Sequence, residues 1–169
     1  MTKAIIIEDE KQGLNNLKNI LNEHCSDISI IGEAGSIAEG NNLLRNLGTS
    51  PDVAFLDINL PDGLVFQMLN EMDKIPFEII FVTAFEKFAI RACQYSSIGY
   101  IVKPIDPDEL KEAVSLITKL NPKPGGGAGN HTRSQYIIPD FLLFNNNGKI
   151  ELTLNSRNAP ELKVSRSYK

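Results

Sequence analysis

Tryptophan is absent from these 169 residues and cysteine appears only as Cys25 and Cys93. Two cysteines so far apart, with no neighbouring ligands at metal spacing, exclude a disulfide scaffold and a cysteine-bound metal. They read instead as small buried apolar residues in a reducing compartment. No apolar run approaches the roughly 20 residues of a membrane span. The opening "MTKAIIIEDE" lacks a cleavage site, and its apolar run is too short for a secretory signal. A cytoplasmic protein without membrane contact is expected. Also missing is a glycine-rich phosphate loop after the first apolar run. "EDEKQG" stands there, and its acids repel a phosphate unless a metal intervenes.

What is present is unevenly charged. The net charge is −4, but residues 1–120 carry 10 Lys and Arg against 18 Asp and Glu, and residues 121–169 carry 7 against 3. An acidic body with a basic tail suggests two modules with different partners, the second facing something anionic.

The first 120 residues alternate between two periods. Apolar runs rich in β-branched residues occur at 3–7, 28–34, 53–56, 78–82 and 99–102. Helical spacing separates them, as in Leu14, Leu17, Ile20, Leu21 and in Leu43, Leu44, Leu47. Ser36 with Glu39 has capping-box spacing, and Asp106-Pro107-Asp108-Glu109 has the cap, proline and acids of a helix start. Five such units predict an α/β fold: a (βα)5, flavodoxin-like, doubly wound parallel sheet with helices on both faces. Runs that are apolar throughout fit strands covered on both sides.

After Leu120 the texture changes. Residues 121–135 are rich in Pro, Gly and small polar residues and read as a flexible linker. Residues 136–169 form a short β-rich segment, with "YIIPDFLLF", the turn signal "NNNG" and the alternating "KIELTL" predicting a β-hairpin. An isolated hairpin is marginal in water, so this segment must pack on something.

In an open parallel sheet, ligands bind beyond the carboxyl ends of the strands, where strand order reverses. The first run is followed by Glu8, Asp9 and Glu10. The third is followed by Asp57, with Asn59 two residues on, the fourth by Thr83 and Ala84, and the fifth by Lys103 and Pro104. With the first and third strands adjacent, Glu8, Asp9 and Asp57 share one cup with Thr83 and Lys103 at its rim. Crowded carboxylates repel one another, and a hard divalent cation such as Mg²⁺ removes that conflict. A carboxylate is also a nucleophile toward phosphorus, and a phosphoryl group in transfer needs the surrounding cations and donors that Lys103, Thr83 and the amides near Asn59 supply. Asp57 is the expected phosphate acceptor. Taken singly, each residue has a plainer role as a helix cap or a solvated surface group. The joint arrangement argues for the site.

"IIIEDE", "FLDINLPDG", "VTAF" and "GYIVKP" resemble the receiver domain of two-component response regulators across residues 1–120. The resemblance implies that Asp57 takes phosphate from a sensor histidine kinase. It implies Asp9 as a direct Mg²⁺ ligand, Glu8 as a ligand through water and the Asn59 main-chain carbonyl as a third. Lys103 would pair with the phosphate, Pro104 would follow a cis peptide, and Thr83 with Tyr100 would form a switch pair. A phosphorylation-dependent homodimer through the fourth helix, fifth strand and fifth helix is expected. Beyond its own phosphotransfer and autodephosphorylation, no enzyme activity is implied. The tail "KIELTLNSRNAPELKVSRSYK" resembles part of a LytTR-type DNA-binding domain, with Arg157, Lys163, Arg166 and Lys169 as candidate DNA contacts. Two other readings stand beside this one. A Mg²⁺-dependent aspartate-nucleophile phosphatase needs a proton donor where Asn59 stands. A flavodoxin-like cofactor binder would share the fold without the chemistry.

Overall fold

The computed structural model describes residues 1–120, 140–145 and 148–153. Its strands β1 (Thr2–Ile7), β2 (Ile28–Ala34), β3 (Val53–Leu56), β4 (Glu78–Thr83) and β5 (Gly99–Val102) fall on the five apolar runs. Between and after them come α1 (Lys11–His24), α2 (Ile37–Asn46), α3 (Phe66–Asn70), α4 (Ala89–Ala92) and α5 (Pro107–Leu120). The five strands pair in parallel in the order β2-β1-β3-β4-β5, so the order reverses between β1 and β3. This is the doubly wound α/β fold expected from the sequence.

Continuous apolar runs are needed because helices cover both faces. Alternate residues point opposite ways. Ile5, Ile7, Ala54, Leu56 and Phe81 join Ile37 of α2, Phe66 and Met68 of α3, and Ala89 and Ala92 of α4. Ala4, Ile6, Val53, Phe55, Ile80 and Val82 join Leu17, Ile20 and Leu21 of α1 with Leu110, Ala113 and Ile117 of α5.

Two helices, α2 and α5, start at side-chain caps. Ser36 Oγ accepts from Glu39 N at 3.1 Å, but the Glu39 carboxylate reaches back to Gly35 N at 2.7 Å, one residue beyond the cap whose amide would close the box. Asp106 Oδ1 accepts from Asp108 N at 2.8 Å, and Pro107 opens α5. The fourth helix is the exception to clean periodicity. A 3₁₀ turn at Glu86–Phe88 leads into α4, and a second at Cys93–Tyr95 leaves it, ending on Ser96 with a left-handed φ of 51°. No side chain caps either the first turn or α4 itself, so the segment holds a single α turn between tighter ones.

The sheet continues past β5. Strand β6 (Asp140–Asn145) pairs parallel to β5 through Tyr100 with Leu143 and Ile101 with Phe144. Strand β7 (Gly148–Thr153) pairs antiparallel to β6 from Asp140 with Thr153 to Asn145 with Gly148. The expected linker at 121–135 lies outside the described residues. No helix among the described residues is long and apolar enough to cross a membrane.

Candidate functional site

Three residues that the sequence singles out stand one step past a strand end, each tied there by the neighbouring strand. Glu8 N donates to Ala34 O at 2.9 Å, Asp57 N to Ile7 O at 2.8 Å, and Lys103 N to Thr83 O at 2.8 Å. The ladder thus outlasts the strands by one residue and holds these side chains side by side. Glu8 and Asp57 are buried, while Asp9 is exposed. Ligand atoms of Glu8, Asp9 and Asp57 all lie within 4.8 Å of one another.

One ammonium serves two of these acids. Lys103 Nζ sits 2.7 Å from Asp57 Oδ2 and 2.6 Å from Glu8 Oε2. The other Asp57 oxygen, Oδ1, accepts from Ile58 N at 2.6 Å and Asn59 N at 3.3 Å. Glu8 Oε1 accepts from Glu10 N at 3.2 Å. Burial pushes the Glu8 carboxyl above the usual range despite the Lys103 hydrogen bond and charge, and the nearby Asp57 charge adds to the rise. Burial works against the Lys103 ammonium too, but hydrogen bonds and charge from Asp57 and Glu8 outweigh it and raise its pKa. Three carboxylates against one ammonium leave an excess of about two negative charges when all are ionised. All the remaining donors are hard oxygens, so the cup suits a small divalent cation.

Glycine and hydroxyl positions complete the cup. A Cβ on Gly13, in the first turn of α1, would stand 2.9 Å from Glu8 Cδ, so glycine there leaves the carboxyl its room. Thr83 is fully buried, and its Oγ1 has no hydrogen-bond partner among the described residues. Tyr100, also fully buried, packs its ring 6.1 Å from Phe81 and donates its hydroxyl to Phe85 O. Burial, with the charges of Asp57 and Glu86, holds that phenol well above the ordinary tyrosine value. The Lys103-Pro104 peptide is cis.

Comparison with known proteins decides the family. The transcriptional regulatory protein BtsR of Escherichia coli is 35% identical over 125 residues, which is 73% of this chain and 51% of that protein. The sensory transduction protein LytT of Bacillus anthracis is 32% identical over 122 residues, 70% of this chain and 48% of that protein. The response regulatory domain of mrkE from Klebsiella pneumoniae superposes with a TM-score of 0.63 at 26% identity, covering 70% of this chain and 97% of that domain. The chain belongs to the response regulators. It spans about half the length of the curated relatives it matches. A family model described as the Sigma-54 factor, core binding domain, matches residues 57–168. That span begins at Asp57 and leaves out β1, β2 and β3, so it cuts through the parallel sheet and corresponds to no unit of this fold.

Within the receiver, Glu8, Asp9, Asp57 and Lys103 come together, with Asn59 on the loop beside them. Thr83 and the exposed Ala84 follow one another at the end of β4, and Tyr100 lies in β5. Glu8 bonds directly to Lys103, an ion pair that the sequence reading did not foresee. Sequence reasoning also missed Asp62. The Asp62 carboxylate takes Ile37 N at 2.8 Å and Ala38 N at 2.9 Å. An acid three residues before the buried pair Val65 and Phe66 was the available signal, but its partners lie far off in sequence. Arg157, Lys163, Arg166 and Lys169 lie outside the described residues.

Proposed function

We propose that Asp57 accepts a phosphoryl group from the phosphohistidine of a sensor histidine kinase and that the acceptance switches an output, with Mg²⁺ held by Asp9, Asp57, the Asn59 carbonyl and, through water, Glu8. The observation that carries this reading is the cluster of Glu8, Asp9 and Asp57 bridged by Lys103 at the strand-order reversal. An Asp57 oxygen forms the new P–O bond as the donor P–N bond breaks, and the imidazole leaves with the electron pair. Lys103, already 2.7 Å from Asp57 Oδ2, follows the new negative charge onto the phosphoryl oxygens. Mg²⁺ in the cup supplies further positive charge there and relieves the repulsion among the acids.

Thr83 supplies the readout. Its unpartnered hydroxyl gains an acceptor when phosphate arrives, and Tyr100 stands two residues before Val102, the partner of Thr83 on the neighbouring strand. The Tyr100 hydroxyl bond to Phe85 O joins that ring to the chain just before α4. The surface formed by α4, β5 and α5 is the expected site of homodimerisation on phosphorylation. The protein acts in the cytoplasm without enzyme activity beyond its own phosphotransfer and autodephosphorylation. Residues 1–120 are the receiver, 121–135 a linker and 136–169 a β-hairpin segment that is part of an output module. A LytTR-type module binding DNA through Arg157, Lys163, Arg166 and Lys169 is supported by the likeness to the transcriptional regulatory protein BtsR and to LytT and by the basic tail.

The test is incubation with acetyl phosphate and Mg²⁺, followed by intact mass. The wild-type chain is expected to gain one phosphoryl group, and Asp57→Asn none. A phosphoryl group retained by Asp57→Asn would sink the assignment.

A further inference from the structure

We propose that Asp62 is a positioning residue for phosphoryl transfer, clamping the loop that carries Asp57 and Asn59 to the amino end of α2; this rests on the phosphoacceptor reading above. The first three amides of α2 are divided between two sources. Ile37 N and Ala38 N donate to Asp62 Oδ1 and Oδ2 at 2.8 and 2.9 Å, and Glu39 N donates to Ser36 Oγ at 3.1 Å. A helix leaves its first amides without internal partners, and its amino end favours a carboxylate. Here most of that demand is met from across the fold rather than by the local cap.

The same contact fixes the loop. Its body is a two-residue antiparallel ladder, Asn59 with Leu64 and Leu60 with Gly63, closed by Val65 N donating to Ile58 O at 2.9 Å. Pro61 and Asp62 form its tip, and Gly63 takes a φ of 141° that other residues rarely adopt. Without the clamp the exposed tip projects from this short ladder, which Leu60 anchors in the core. Asn59 is where slackness would be felt, because its amide reaches Asp57 Oδ1 at 3.3 Å and its carbonyl is a proposed metal ligand. The two amides also hold the Asp62 carboxyl below the usual carboxylate range. Asp62 is exposed and bonds away from the carboxylate cup, which makes it a positioning residue and not a catalytic one.

The experiment compares the full chain with Asp62→Ala, Asp62→Asn and Ser36→Ala. It reads Mg²⁺ affinity by titration calorimetry and amide hydrogen exchange at Asn59–Leu64 before Mg²⁺ is added. Asp62→Ala is expected to weaken Mg²⁺ binding roughly tenfold, as loss of an outer support for metal ligands does, and to speed exchange in the loop. Asp62→Asn should fall between, since its one remaining acceptor oxygen serves only one of the two amides. Ser36→Ala removes a cap from the same helix and should lower the melting temperature while leaving Mg²⁺ affinity unchanged. Wild-type affinity in Asp62→Ala, or equal weakening in Ser36→Ala, overturns the positioning role alone. A wild-type chain that takes up neither Mg²⁺ nor phosphate overturns the phosphoacceptor reading and this inference with it.

Discussion

A buried hydroxyl with nothing to bond costs a folded protein stability, and Thr83 carries one at the end of β4. Leaving such a group unsatisfied costs about 1–3 kcal/mol, whereas an apolar group of the same shape avoids the penalty. Thr83→Val keeps the shape and the β-branching that a strand favours. It should raise the unfolding free energy of the unphosphorylated protein by about 1 kcal/mol. The readout is a higher urea midpoint with an unchanged slope. The same variant should still accept phosphate at Asp57 yet lose the downstream change, because the group that follows the phosphate is gone. A lower midpoint would mean that the hydroxyl is satisfied in solution and is not held in reserve. Stability given up at a functional position is the pattern expected where local rules yield to chemistry.

At the scale of elements, α5 shows how a well-signalled start can still carry a cost. Asp106 caps it and Pro107 opens it, but Asp108 and Glu109 follow at once in the first turn. Burial first, then the charges of Asp106 and Glu112, push Glu109 up to about 7. A carboxyl raised in the folded state contributes stability that is fully present below its ordinary value of 4.5 and is lost as pH rises through about 7. Glu109→Gln should therefore resemble the wild type at pH 5 and melt higher at pH 8. Solvent screening keeps that gain to about 0.5 kcal/mol, or roughly 2 °C in melting temperature. A gap that narrows toward pH 8 would reverse the sign and refute the argument. What the sequence revealed of the elements divides along similar lines. The five strands were legible because burial on both faces forces unbroken apolar runs, and the residues following them in the cup were legible because strand ends converge at the order reversal. The broken α4 was not, since its aromatic and alanine content suits a continuous helix as well as one turn between 3₁₀ turns. Nor was the Asp62 clamp, whose partners lie 24 and 25 positions away. The pairing of Lys103 with both acids depends on which carboxylate stands nearest in space, and spacing along the chain does not carry that.

Across the whole molecule, the tail's apolar alternation raised a question of where it could pack, and β6 meets β5 at the sheet edge. An exposed edge strand is a liability, because its unpaired amides invite other chains. Yet the contact is thin: two register pairs join β5 to β6, whereas β4 and β5 share four. Among the residues whose side chains are described, the two hydrophobic clusters together draw on all five strands and all five helices of the receiver. A chain ending at residue 120 is therefore expected to fold and to bind Mg²⁺ as the full chain does. Its melting temperature should change by no more than about 4 °C, the equivalent of about 1 kcal/mol in a domain of this size. The difference should appear locally. Amide exchange in Gly99–Val102 should speed up on truncation, while exchange in β1 and β3, at the centre of the sheet, should stay the same. Unchanged exchange in β5 would show that the added strands do not hold the edge in solution. Unfolding of the shortened chain would instead mean that the tail belongs to the core. Because β5 also lies within the surface proposed for dimerisation, the truncated chain should dimerise at lower concentration when phosphorylated, and sedimentation with beryllofluoride and Mg²⁺ would measure that shift.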